Sequence, residues 1–156
     1  MKVTSGMSII VKRITKITVS LIFLYGVYIV LHGHLTPGGG FAGGVIIALS
    51  FIHLVLAFGK EAAFKRMNSS IASVTESLGG LFFLGLALLG LAAGKQFFLN
   101  ILPKGRPFDL FSSGIIVLCN MAISLKVGAG LFAIFIALAI LRIPLDPGES
   151  KKGKDQ

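Results

Sequence analysis

Four long stretches of almost uninterrupted apolar residues limit what this chain can fold into. An α-helix needs about 20 apolar residues to cross the hydrocarbon core of a bilayer. A bundle of buried helices in a soluble protein would need a polar face on each helix, and these stretches show none. The sequence therefore predicts an all-α integral membrane protein with four transmembrane helices. The predicted spans cover about residues 14–33, 41–58, 71–93 and 115–141.

The four spans are expected to form one transmembrane domain over residues 1–143. Residues 144–156 are predicted to be a polar tail, because Pro144 and Pro147 stop a helix and the remaining residues are polar. Charged residues make up 13% of the chain, against about 25% in an average soluble domain. The chain has one cysteine, Cys119, which excludes an intramolecular disulfide and a cysteine zinc cluster.

Lysine and arginine residues predict how the helices are oriented. Most of them precede the first span, follow the second span or lie in the tail, and with four spans these regions share one side. Because cytoplasmic segments carry the excess of basic residues, both termini are expected in the cytoplasm (N-in/C-in), with the spans in the cell membrane. The net charge of +9 then reflects topology and contact with lipid headgroups. No nucleic-acid motif is present, and no nucleic-acid partner is expected.

The connection between the first two spans is rich in glycine and carries the most specific motif of the chain. Pro37 stops the incoming helix, and the glycines permit positive φ angles and close approach of backbones. Gly40, Gly44 and Ala48 recur every four residues, a small-residue pattern that lets a neighbouring helix pack closely within lipid. The motif reads His34-Leu35-Thr36-Pro37-Gly38-Gly39-Gly40-Phe41-Ala42-Gly43-Gly44.

This motif resembles the GH-x-x-PGGGF-x-GG signature of the MnhB/MrpB-type subunit of Mrp-type multisubunit Na⁺/H⁺ antiporters. The same subunit type occurs in the antiporter-like module of membrane-bound hydrogenases, and residues 120–130 are similar to the form found in such energy-converting complexes. The resemblance implies a small subunit that packs beside other membrane subunits, with sodium ions and protons as the transported species. The matching positions are His34, Pro37, Gly38, Gly39, Gly40, Phe41, Gly43 and Gly44.

Two charged residues within the spans are candidates for ion translocation, because a charge at the bilayer centre costs about 2.5–3.5 kcal/mol or more. Lys126 shares a helix face with Ala122 and Ala129, so we expect it to point at another helix. The alternative is a lysine whose amine snorkels to the headgroups. Glu76 either closes a capping box with Ser73 or is an intramembrane carboxylate near the cytoplasmic mouth of an ion path.

Histidines supply the remaining candidates. His53 in the second span could relay protons, because histidine titrates near physiological pH, and a hydrogen-bonded packing residue is the alternative. His32 and His34 flank a glycine, but no further ligand is nearby in the sequence, so no metal site is expected. For His34 the sequence favours hydrogen bonding within the glycine-rich turn.

The sequence contains no nucleophile–base motif, phosphate loop or dinucleotide fingerprint, so neither a cofactor nor an enzymatic activity of the chain itself is expected. The predicted function is that of a small membrane subunit that supports cation translocation and assembly. Its host would be a stand-alone Mrp antiporter or the antiporter module of a hydrogenase-like redox complex. A purely structural scaffold subunit and a self-contained homo-oligomeric transporter are the alternatives.

Overall fold

The computed structural model describes residues 7–59, 69–94, 96–106, 108–110 and 112–140, and every regular element within them is an α-helix. Each helix is long and apolar enough to cross a membrane, which confirms the predicted all-α membrane architecture with four spans. The predicted tail at 144–156 lies outside the described residues, as does most of the connection between the second and third helices. The helices are α1 (Ile9–Leu31), α2 (Gly39–Phe58), α3 (Ser69–Ala92) and α4 (Ile115–Ile140).

The first helix begins at Ile9, ahead of the predicted start at about residue 14. The hydroxyl of Ser8 accepts a hydrogen bond from the Val11 N–H at 3.4 Å, which caps the helix at that point. Basic side chains in the first turns interrupt the apolar stretch but do not interrupt a helix. One of them, Lys16, places its Nζ 5.8 Å from the ring centre of Phe58 at the far end of α2.

The helices lie in the spatial order α1, α2, α4, α3, so α2 and α4 form the centre of the bundle. Phe51 of α2 contacts Phe23 of α1 and Phe132 of α4 edge-on, with ring centres 6.0 and 6.1 Å apart. Phe132 is 2% exposed and packs in a buried cluster with Ala72 of α3. This cluster joins α2, α3 and α4.

Many large apolar side chains point outward in this chain, and small residues lie where the helices meet most closely. Leucines such as Leu24, Leu81 and Leu138 are more than 60% exposed, whereas Gly44 and Ala48 are buried between helices. Lipid solvates apolar side chains as well as a protein interior does, so helices in a bilayer associate through small residues that let backbones meet.

Candidate functional site

The turn between α1 and α2 folds around Asn120, a polar residue of α4. We call residues 33–40 the glycine turn. A Cβ on Gly33 would lie 2.7 Å from Asn120 Nδ2, and a Cβ on Gly40 would overlap the backbone oxygen of Asn120. The Gly40 N–H donates to Asn120 Oδ1 at 3.2 Å, so Asn120 satisfies one of the free N–H groups at the start of α2. The glycines therefore make the space that Asn120 occupies.

Two of these glycines also need a backbone conformation that other residues rarely adopt. Gly38 has a φ of 129° and Gly39 a φ of 59°, and both values cost a residue with a Cβ considerable strain. The chain can therefore reverse direction and start α2 within a few residues of Pro37. Pro37 itself and Phe41 are exposed, so these two motif residues are not held by contacts deep inside the chain.

Beyond the turn, the glycines of α2 bring two different helices close. A Cβ on Gly44 would lie 2.9 Å from the backbone oxygen of Ser124 in α4, and Ala48, one turn further on, is 1% exposed. The predicted close approach at the small-residue stripe is thus confirmed. Gly43 faces the other way, where a Cβ would overlap Val30 and lie 3.0 Å from the carbonyl oxygen of Gly26 in α1.

The two histidines beside the turn have different partners. His34 Nε2 donates to the carbonyl oxygen of Asp109 at 3.2 Å and so joins the first connection to the last one. The prediction that His34 bonds within the glycine turn is therefore wrong, because the turn brings it against a segment 75 residues away. His32 bonds the carbonyl oxygen of Tyr28 one turn back, at 3.0 Å. In the part of the chain that the structure describes, no three metal-ligating side chains come together.

A second polar feature lies between α3 and α4, where Lys126 Nζ is 3.9 Å from Glu76 Oε1. It is the one ion pair among the described residues. The capping-box interpretation of Glu76 is wrong, because α3 already begins at Ser69 and Ser73 lies within the helix. The side chains are 57% exposed for Lys126 and 41% for Glu76, so the pair lies at the edge of the helix interface.

Glycines of α3 and α4 lie directly beside the Lys126–Glu76 pair. A Cβ on Gly79 would be 2.7 Å from the backbone nitrogen of Lys126, so α3 and α4 touch backbone to backbone there. A Cβ on Gly80 would lie 3.6 Å from Lys126 Nζ, and one on Gly130 would lie 3.5 Å from Glu76 Oε1. Each charged group thus lies over a glycine of the facing helix. We call Glu76, Gly79, Gly80, Lys126 and Gly130 the charged seam.

The charged seam lies far from both ends of the helix that carries Lys126. At 1.5 Å per residue, Lys126 is about 17 Å from Ile115 and about 21 Å from Ile140 along α4. Its amine lies beside Gly80 and Glu76 and not at a helix end. Ala122 and Ala129, which share its helix face, are buried, as expected for a face that contacts another helix.

The third candidate, His53, is not part of the charged seam. Its side chain is exposed on α2 and has no hydrogen bond or ion pair within the described ranges. A cleft of about 400 Å³ between α1, α2 and α4 has an apolar lining that includes Phe23, Val27 and Leu125. It contains no charged side chain, so Lys126 and Glu76 are the candidates for ion translocation that the fold brings together.

Comparison with known proteins agrees with the signature in the first connection. The family model described as "Domain related to MnhB subunit of Na+/H+ antiporter" matches residues 10–133. The chain belongs to this MnhB family. The match extends over all four helices and includes both the glycine turn and the charged seam, and the chain is a multi-pass membrane protein.

Individual relatives match this MnhB-family chain over part of their length. A chain of Staphylococcus epidermidis named for antiporter subunit mnhB2 is 33% identical over 57% of this chain and 62% of its own length. A protein of Methanocaldococcus jannaschii is 38% identical over 71% of this chain and 44% of its own length. The chain thus spans less than two thirds of the length of these relatives.

A solved structure matches over most of the chain. One chain of the archaeal membrane-bound sulfane sulfur reductase, a respiratory membrane complex, is similar with a TM-score of 0.65 and 34% sequence identity. The match covers 86% of this chain and 58% of that one. The MnhB fold described above therefore also occurs in a chain of an archaeal respiratory membrane complex.

Proposed function

We propose that this chain is a non-catalytic membrane subunit of a multisubunit Na⁺/H⁺ antiporter-type complex and that the Lys126–Glu76 pair takes part in cation translocation. One observation carries the proposal. Two residues 50 positions apart, on different spans, place opposite charges 3.9 Å from each other at the edge of the α3–α4 interface. Ionisable residues inside membrane spans are rare and typically line ion or proton pathways.

The geometry of the pair suits a group that exchanges partners. Glu76 is a carboxylate, and its oxygens can interact with a sodium ion as well as with the Lys126 ammonium. A cation that arrives at Glu76 competes with the Lys126 ammonium, and its departure restores the pair. The contact is loose enough for such an exchange, because 3.9 Å is beyond the range of a hydrogen bond.

The orientation that we propose places both termini in the cytoplasm and the glycine turn on the outer side. The excess of basic residues in the terminal regions supports this direction. Cysteines introduced at Lys65 or Lys152 should react with an impermeant maleimide from the cytoplasmic side alone, and a cysteine at Thr36 should react from outside. Labelling of Thr36 and Lys152 from the same side would contradict the proposed topology.

The function is tested by substituting Lys126 in the intact complex. Lys126→Ala is expected to lower sodium-linked transport at least tenfold in reconstituted vesicles while the complex still forms, and Lys126→Arg should restore part of it. Leu125→Ala is the matched control, since Leu125 is the exposed neighbour on the same helix. Normal transport by the Lys126→Ala complex would refute a role of Lys126 in translocation.

A scaffold role is the second candidate, and the backbone contacts of the glycine turn favour it. The two roles predict different transport by the Glu76→Gln variant. If the chain is only a scaffold, the variant complex should transport normally as long as it assembles.

A native mass measurement in mild detergent tests the homo-oligomeric alternative, which predicts copies of this chain alone. Redox subunits encoded beside this gene would indicate a hydrogenase-like host complex.

A further inference from the structure

The ion pair of the charged seam is incomplete within this chain. Lys126 has three N–H donors, and its 3.9 Å contact with Glu76 is too long for a hydrogen bond. In the described part of the chain, neither charged group makes any hydrogen bond. The exposed fractions of 57% and 41% show that space beside both groups is open.

The hydrocarbon core of a bilayer cannot complete the pair. Hydrocarbon offers no hydrogen-bond acceptors, so polar groups in a span must be satisfied by protein or by a water-filled cavity. The same flank of α3 carries residues unlike those that face lipid elsewhere. Ser73 and Gly80 lie three residues before and four residues after Glu76, on one helix face, whereas the opposite flank presents the exposed side chain of Ile71.

We propose that the charged seam is the docking surface for a transmembrane helix of another subunit, which packs along Ser73, Glu76 and Gly80 and presents a carboxylate to Lys126. Small residues on this flank admit a second backbone at short distance. A carboxylate is the acceptor that binds an ammonium most strongly, since charge-assisted hydrogen bonds are about twice as strong as neutral ones. The MnhB family is named for a subunit of an antiporter, so a different chain is the expected source of this helix.

Photo-crosslinking in the intact complex tests this surface. A photoreactive phenylalanine analogue at Ser73 should give a product with a different membrane subunit, in at least fivefold higher yield than the same analogue at Ile71. Mass mapping should place the crosslink in a transmembrane helix with an Asp or Glu within about one turn of the site. A product with a second copy of this chain, products with lipid alone, or a mapped helix without an acidic residue would each overturn the proposal.

A bulky substitution gives a second measurement that does not depend on crosslinking chemistry. Ser73→Trp should lower the amount of co-purified partner subunit at least fivefold, because the indole occupies the space of the partner helix. Ile71→Trp should leave the recovery within twofold, and both variants should remain in the membrane at the level of the parent chain. Equal recovery for the two variants would contradict docking at the seam. Neither result depends on transport, so this inference and the proposed role of Lys126 can fail separately.

Discussion

The glycine turn and the charged seam both depend on glycines, but they use them for opposite purposes. In the glycine turn, the missing side chains are replaced by another part of the same chain, since Asn120 fills the space beside Gly33 and Gly40. In the charged seam, Gly80 and Gly130 leave room beside an ammonium and a carboxylate that remain half exposed. The chain itself fills the space beside the glycines in the glycine turn, whereas the space beside the charges in the charged seam stays exposed.

This difference separates what the chain needs in order to fold from what it offers to its surroundings. A polar group that finds its partner within the chain stabilises a particular helix arrangement, as the Oδ1 atom of Asn120 does for α2. A charge that is left half exposed in a span adds a cost that the fold of this chain does not remove. Substitutions in the two regions should therefore have different consequences.

The largest effect is expected at the centre of the glycine turn. Gly40→Val would push a side chain into the backbone of Asn120, where no flexible atom can move away, so α2 and α4 would have to separate. The amount of chain and partner subunits recovered from membranes should fall at least tenfold. Gly85→Val is the control, because a Cβ at Gly85 meets nothing within 4 Å in this chain. Similar losses for both variants would show that general helix propensity, and not contact with Asn120, explains the glycine.

Two adjacent glycines test whether packing and charge can be separated within the seam. Gly79→Ala places a methyl group 2.7 Å from the backbone nitrogen of Lys126, whereas Gly80→Ala places one at an ordinary 3.6 Å from its amine. Gly79→Ala should lower the stability of the chain by about 1–3 kcal/mol, as overpacking usually does. Gly80→Ala should not lower stability, because its methyl group has room and alanine forms helices better than glycine. Thermal unfolding in detergent, followed by helical circular dichroism, gives both values, and equal stabilities would contradict the backbone contact.

A smaller effect is expected for Asn120→Ala. The variant removes the acceptor of the Gly40 N–H, a capping interaction that is typically worth about 1 kcal/mol. Ser124→Ala is the matched control on the next turn of α4, because the Ser124 hydroxyl bonds its own helix at Met121. If the two variants had the same melting temperature, the glycine turn would not depend on the Asn120 side chain.

The smallest effect is expected at His53, which the fold leaves outside both regions. His53→Gln keeps a polar side chain of similar size and removes the ring that could accept a proton. Transport should stay within twofold of the parent complex when it is measured at several pH values between about 6 and 8. A large, pH-dependent loss would place His53 on the proton path and would extend the functional region beyond the seam.

The sequence predicted the helices well because membrane spans depend on length and hydropathy, which are local properties. The glycine motif also predicted close packing, since small residues at a spacing of four have few other uses within lipid. The sequence did not reveal the contact between the turn and Asn120, which lies 80 residues from Gly40. A signal was present, because an asparagine within an apolar span has to find a partner.

The charged seam is a second contact between distant residues that local sequence patterns did not reveal. The sequence predicts that Lys126 points at another helix, but it also offers a capping motif at Ser73 for Glu76. Local spacing cannot decide between a helix start and a helix interior. The structure decides it because α3 begins at Ser69, which leaves the carboxylate free to reach α4. The expected hydrogen bond of His34 within its own turn failed for a similar reason, since its partner is Asp109 in a distant connection.

The contact between Gly40 and Asn120 also has a consequence for how the protein is made. A ribosome delivers α1 and α2 to the membrane before α4 has been synthesised, so the first hairpin enters the bilayer with its glycine-rich corner unfilled. That corner acquires its final shape when the fourth helix arrives with Asn120, 80 residues later. The last span to be inserted is therefore the one that completes the first turn. In a chain truncated before α4, the glycine turn would lack Asn120 and would stay incomplete.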